Sequence, residues 1–421
     1  MKLGQVGRTI RTGIIGLGGR GFGQMKTILT MPDVDVIAVS DVYEDRMQNA
    51  QEEVLKCRGT KPFGTTDYRQ LLIREDIEAV VVMTSWTTHI TIACEAMEHG
   101  KVVAMEVGGA SSVDECWKLV RTSERTGKGV MLLENCCYNL EELTLLNMVK
   151  KGLFGELIHC RGGYMHDLRD EIGKGDIIRH YRFDNFIHRN GELYPTHELG
   201  PIAQYLNLNR GNRMLSLVSM ASKAVGQSEW MKENRADSPL ANAKFNEGDI
   251  VTTMIKCANG ETIVLTHDCT LPRPYSRGGY VQGTKGVWQE DNRSLFIEGL
   301  SPVDPDDWTH RWESDKKYME EHLHPLWKEY KEFGLRGGHG GMDYLVLRAF
   351  FESVQAHKPF PIDVYDTASW MVITCLSEQS IAMGSMPVPV PDFTDGAWIG
   401  RTKREPDIFS LDDVYEEVFQ D

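Results

Sequence analysis

A chain of 421 residues with 41% hydrophobic and 25% charged residues has the composition of an ordinary globular protein of roughly two to three domains. Its net charge of −15 sets it against nucleic acid and anionic membrane, which would repel it. No apolar run reaches the roughly 20 residues of a membrane-spanning helix, and the nine cysteines show neither CxxC nor zinc spacing, so no metal site is expected.

In chain order, the first third alternates strand and helix. TGIIGL (12–17) reads as a short buried strand, followed by a glycine turn and a helix to about Met31. VDVIAVSD (34–41) is a second strand, 44–57 has helical spacing, and 67–75 suits a short helix. EAVVVMTS (78–85) is a continuous apolar run, as expected of a parallel strand buried on both faces. A helix over 89–100, the strand KVVAMEV (101–107), a helix over 112–126 and the strand GVMLLEN (129–135) continue the alternation. The pattern predicts a doubly wound Rossmann domain of α/β class over residues 1–138. Beyond about residue 150, strand-like segments follow one another, and Asn259-Gly260 marks a hairpin turn. Helices are expected near 341–356 and 364–384. Residues 139–421 are therefore expected to form an α+β domain with an open, mostly antiparallel sheet and an acidic tail from about 403.

Three glycines, Gly16, Gly18 and Gly21, form GxGxxG between a strand and a helix, and Asp41 closes the next strand. In that setting the first glycine permits the turn and the second lets backbone approach a pyrophosphate. The third lets helix and strand pack closely, and the helix N-terminus receives the phosphate charge. Asp41 can hydrogen-bond both ribose hydroxyls and repels a 2′-phosphate, which favours NAD over NADP; Arg46 lies close enough to bear on that choice. Ser85, Trp86, Thr87, Thr88 and His89 leave the carboxyl end of a buried strand, and Glu106-Val107 and Glu134-Asn135 end two more at the same edge, where ligands sit in such sheets.

The stretch NGELYPTHELGP (190–201) sets Tyr194 and His197 around Pro195, ahead of a Gly200-Pro201 stop, and so aims two titratable rings at one point. Tyr164 and His166 alternate along a strand and face one side. Each has a bland reading too. A histidine at a helix start is usually structural, and Tyr-x-His on a strand is usually packing. Tyr275 in RPYSRGG reads alone as a loop tyrosine, Glu134 and Asp167 as structural carboxylates, and HGGMD (339–343) as a loop before a helix that borders the site.

With the glycine motif, the aspartate and the open second sheet, the chain resembles the glucose–fructose oxidoreductase and inositol dehydrogenase superfamily. The Glu-Lys-Pro motif of its ordinary dehydrogenases is here Glu106-Val107-Gly108, without the lysine. GLGGRG, MEV, LLENCCY, GGYMHD, LYPTHELGP, QGTKG and HGGMD, in this order, resemble the NAD-dependent alpha-N-acetylgalactosaminidases over nearly the whole chain. That family often shows Trp-x-Trp-His where Trp86-Thr87-Thr88-His89 stands, and a proline at the place of Gly108. The resemblance implies that Arg20, Gly21, Asp41, Trp86, Thr87, Thr88, His89, Glu106, Val107 and Asn135 contact NAD. It implies that Tyr164, Arg182, Tyr194 and Tyr275 contact the sugar, and that His197 lies between nicotinamide and sugar. It also implies a route unlike the carboxylate pair of ordinary glycosidases. The sugar C3 is oxidised by NAD⁺, C2 is deprotonated, the C1 substituent leaves, water adds, and the hydride returns. On this scheme His197 with Tyr194 serves the C3 hydroxyl, Tyr164 is the C2 base, and His166 or water assists the leaving oxygen.

Two rivals stand beside it: an NAD-dependent sugar dehydrogenase or 3-keto-glycoside oxidoreductase, and an NAD-binding protein without catalysis. A small-molecule glycoside is the expected partner, in a homo-oligomer. The basic N-terminus lacks the apolar stretch of a signal peptide, so a cytoplasmic location is expected.

Overall fold

A computed structural model describes residues 3–4, 6–401 and 404–420. The described residues divide into two compact units: those within Met1–Leu143, His324–Ala368 and Thr402–Asp421, and those within Thr144–Leu323 and Ser369–Arg401. The expected single cut after 138 thus meets a chain that returns to its first unit. The helix Met342–Ala356, placed by sequence in the second domain, belongs to the first.

The first unit carries six parallel strands: β1 (Ile10–Ile15), β2 (Val34–Ser40), β3 (Phe63–Thr65), β4 (Ala79–Val82), β5 (Val102–Met105) and β6 (Val130–Leu132). Their order is β3-β2-β1-β4-β5-β6, which puts the switch point, and with it the ligand crevice, at the carboxyl ends of β1 and β4. Every residue of β4 is fully buried, which is why its sequence does not alternate. The helix after β5 runs Val113–Thr126; the Ser112 hydroxyl caps it by accepting the Glu115 N–H, and left-handed Gly127 ends it. The helix after β4 starts at Trp86, three residues before the expected start at His89, so Trp86 to Thr88 open its first turn rather than precede it. Inside this unit, fully buried Arg348 of helix Met342–Ala356 pairs with Asp33 at 2.7 Å and Glu352 at 2.8 Å.

The second unit carries nine strands: β7 (Leu157–Met165), β8 (Met214–Ala221), β9 (Ile250–Cys257), β10 (Thr262–Asp268), β11 (Tyr280–Gly283), β12 (Gly286–Gln289), β13 (Ser294–Ile297), β14 (Glu313–Ser314) and β15 (Val388–Pro389). The order is β14-β13-β12-β11-β7-β10-β9-β8-β15. All pairings are antiparallel except β7 with β10, where Tyr164 stands opposite His267. The Asn259-Gly260 turn joins β9 to β10 as the sequence predicts. The helix Thr196–Tyr205 corrects one expectation: it runs through Pro201 instead of stopping at Gly200-Pro201. Pro201 lacks the N–H that a helix would send to the His197 carbonyl, but the residues around it are buried and packing holds the helix on.

Candidate active site

In the first unit the glycine loop is shaped as its spacing requires. Gly16 has φ +92°, and a Cβ there would lie 2.5 Å from the Met83 carbonyl oxygen. A Cβ on Gly21 would lie 2.1 Å from the Gly16 carbonyl oxygen, so helix and strand approach too closely for any side chain. A Cβ on Gly18 would meet the Arg46 guanidinium at 3.4 Å, and a cavity of about 540 Å³ opens there, lined by Leu17, Gly18, Phe22, Arg46 and Asn49 among others. The helix Gly19–Ile28 has no side-chain cap and no acidic residue in its first turn. Its N–H groups and dipole are thus arranged for an anion. The cradle fits a dinucleotide pyrophosphate.

Asp41 is buried. Its carboxylate accepts the Leu17 N–H at 2.6 Å on one oxygen and the Tyr43 N–H at 2.9 Å on the other. Both bonds fix the loop and leave each oxygen a lone pair for ribose hydroxyls. The first turn of the helix from Trp86 is laced by Ser85, Thr87, Thr88 and Thr84 hydroxyls at 2.8–3.2 Å. His89 is fully buried with Nε2 2.9 Å from the Thr84 carbonyl oxygen. Burial lowers its pKa to about 4, so it is a neutral donor that holds the turn. Gly108 has a local reason: a Cβ there would lie 2.3 Å from Cδ1 of the Trp86 ring. Glu106 accepts the Val107 N–H at 3.0 Å and the Arg20 Nε at 2.9 Å. Asn135 opens a 3-10 turn after β6 and is buried.

In the second unit the structure brings Tyr164, His166, Arg182, Tyr194, His197 and Tyr275 together. Ring centroids lie 4.6 Å apart for Tyr164–Tyr194, 4.7 Å for Tyr194–His197 and 5.4 Å for Tyr164–His197. His166 lies just past the end of β7, its Nδ1 3.2 Å from the Tyr164 hydroxyl, and Tyr275 stands 5.1 Å from the His166 ring. The Arg182 Cζ is 5.4 Å from the Tyr194 ring centre and 5.8 Å from that of Tyr164, and its Nη1 donates to Glu171 at 2.8 Å. Burial pushes the Tyr164 phenol up to about 12, with the Arg182 cation working against it. Burial, then Arg182, holds the His166 imidazole below its usual value, so it is neutral at pH 7. Tyr164 with His166 therefore forms a donor–acceptor pair, not a lone base.

What fixes Tyr194 was not foreseen in the sequence. The Gly191 N–H donates to Glu247 at 2.9 Å, the Glu192 N–H to the Ser377 hydroxyl at 2.8 Å, and the Thr374 hydroxyl to the Glu192 carbonyl at 2.7 Å. Buried His267 of β10 lies 3.1 Å from Glu247. These groups come from four separate chain segments, and no local motif announces them. Asp343, in HGGMD, was read as a loop residue and proves to be buried against Arg20 and Asn135.

Residues 10–133 match the model of the oxidoreductase family, NAD-binding Rossmann fold, and residues 138–400 match that of the glycosyl hydrolase 109 C-terminal domain. A glycosyl hydrolase family 109 protein of Stenotrophomonas maltophilia is 41% identical, covering 97% of this chain and 93% of that one. An alpha-N-acetylgalactosaminidase of Tannerella forsythia is 38% identical over 93% of this chain and 88% of its own, and one of Shewanella oneidensis is 41% identical over 92% and 86%. Among solved structures, levoglucosan dehydrogenase with NADH superposes with a TM-score of 0.67 at 19% identity, covering 91% of this chain and all of the other. At that identity the likeness speaks for the fold.

Proposed function

Because the chain belongs to glycosyl hydrolase family 109, we propose that it cleaves N-acetylgalactosaminides by the oxidation–elimination–addition route, using NAD that is regenerated in each turnover. The observation that carries this reading is the cluster of Tyr164, Tyr194, His197 and Arg182. It supplies several proton-transfer groups around one point, in a chain whose other unit is an NAD-binding Rossmann fold without the Glu-Lys-Pro lysine. When bound, NAD accepts the hydride of the sugar C3 and gives it back at the end. His197 and Tyr194 take the C3 hydroxyl proton. Tyr164 acts at C2, where the Arg182 cation offsets the cost of a phenolate and neutral His166 receives the phenol proton. Tyr275, half-exposed at the edge of the cluster, covers the sugar face.

The test is to incubate the protein with NAD⁺ and p-nitrophenyl glycosides in D₂O. Phenol release with deuterium at C2 of the product and no net NADH is expected, with N-acetylgalactosaminide the preferred sugar. NADH accumulating without phenol would instead make it a sugar dehydrogenase. A homo-oligomer belongs to the same reading, supported by Ile158, Leu215, Met220 and Met254 exposed on the strands of the second unit's sheet; light scattering of the purified protein measures it. A reducing compartment is supported by nine free thiols. Among the described residues no helix is long and apolar enough to cross a membrane.

A further inference from the structure

We propose that Asp343 is a positioning residue for the dinucleotide: its single carboxylate fixes Arg20 and Asn135 together and, through Arg20, fixes Glu106. This rests on the reading that those three residues meet the cofactor. Asp343 stands in the first turn of helix Met342–Ala356, 4% exposed at its side chain. Its Oδ2 accepts Arg20 Nη1 at 2.7 Å and its Oδ1 accepts Arg20 Nη2 at 3.0 Å, the two-pronged geometry in which a guanidinium is held most firmly. The same Oδ1 accepts Asn135 Nδ2 at 2.7 Å. The remaining edge of the guanidinium donates from Nε to Glu106 at 2.9 Å, and Glu106 in turn accepts the Val107 N–H.

Two residues from different elements thus meet at one buried anion, and a third, Glu106, is tied to it through Arg20. Arg20 begins the helix after the glycine loop, Glu106 follows β5 and Asn135 follows β6. A guanidinium facing two carboxylates is neutralised, so Arg20 acts here as a crosspiece more than as a clamp for phosphate. Burial alone would raise the Asp343 pKa, but the His339 ring 2.8 Å away and the Arg20 cation outweigh it. The N-terminus of the helix favours the same negative charge. The carboxylate is therefore charged throughout the pH range in which the protein works, and the network does not depend on a proton.

The experiment titrates NADH into nucleotide-free full-length protein, followed by energy transfer from tryptophan, with melting temperatures measured on the same samples. Losing hydrogen bonds to charged groups weakens binding roughly ten- to a hundredfold, so Asp343→Asn is expected to raise Kd by that factor. Asp343→Glu keeps the charge but moves it by one methylene; it is expected to raise Kd while the nucleotide-free melting temperature stays near that of the parent, which a purely structural role would not produce. The proposal is overturned if Asp343→Glu binds NADH as the parent does while Glu106→Gln and Asn135→Ala bind weakly. If none of these substitutions changes Kd, the cofactor does not meet Arg20, Glu106 and Asn135 at all, and the underlying placement falls instead.

Discussion

Tyr164 and His197 touch one another yet serve different steps of the proposed reaction, and substitution should separate them. Tyr164→Phe removes the phenolate base at C2 but leaves His197 and Tyr194 at C3. Phenol release should fall about 10²–10⁴-fold, while adding sugar still produces the absorbance of bound NADH at 340 nm. His197→Ala should abolish that absorbance as well. Equal loss of both signals in both variants would remove the division of labour. At the other ligand, the proposed role of the Asp41 carboxylate is to reject a 2′-phosphate, and a Cβ on Gly18 would lie 3.4 Å from the Arg46 guanidinium. Asp41→Asn keeps an acceptor for one of the two loop N–H groups and removes the charge. The ratio of NADP⁺ to NAD⁺ affinity should rise by roughly tenfold or more, as read by competitive binding.

At the scale of elements, the glycine loop and the turn after β5 are decided by clearance. Gly16 and Gly21 lie within contact distance of backbone that cannot withdraw, whereas Gly108 faces the Trp86 ring, a side chain that can shift. Gly108→Ala should therefore fold, at a cost of about 1–3 kcal/mol from overpacking together with the strain of a side chain at φ +158°, and should weaken NAD binding because Trp86 leads the first turn of its helix. Urea unfolding and NADH titration of one preparation measure both effects. The Tyr194 loop is decided differently, by tethers at Gly191 and Glu192 on either side of one peptide.

For the whole molecule, the buried carboxyl of Glu192 makes stability depend on pH. Burial raises its pKa to about 7, with nearby His267 pulling it down and Glu247 pushing it up. A carboxyl whose folded pKa lies above its unfolded value of about 4.3 contributes stability that is full below that value and is lost as pH rises through 7. Glutamine mimics the protonated form. The melting temperature of Glu192→Gln should match the parent near pH 4 and exceed it at pH 8, and a constant difference across that range would rule out the titration. The second buried network, Arg348 with Asp33 and Glu352, works within the first unit; breaking one partner of such a set typically costs about 3–5 kcal/mol.

How much of this the sequence determined follows from the range of each interaction. The Rossmann unit was legible because its signals are local: GxGxxG between a strand and a helix, Asp41 at the end of β2, and an unbroken apolar run at β4. That Tyr164, Tyr194 and His197 come together was expected from the three-residue spacing across Pro195 and from the family resemblance, and the structure brings their rings within 5.4 Å of one another. The helix through Pro201 was misread because Gly-Pro is a stop only where packing does not override it, and here it does. Trp86 to Thr88 were set ahead of the helix, which was read to begin at His89, because no residue there signals a helix start more strongly than its neighbours. The return of residues 324–368 to the first unit, the His267–Glu247–Glu192 support under Tyr194 and the hold of Asp343 on Arg20 and Asn135 depend on residues up to 323 positions apart. Short-range periodicity carries no trace of such pairs. Only the folded chain, which must give every buried charge a partner, decides them.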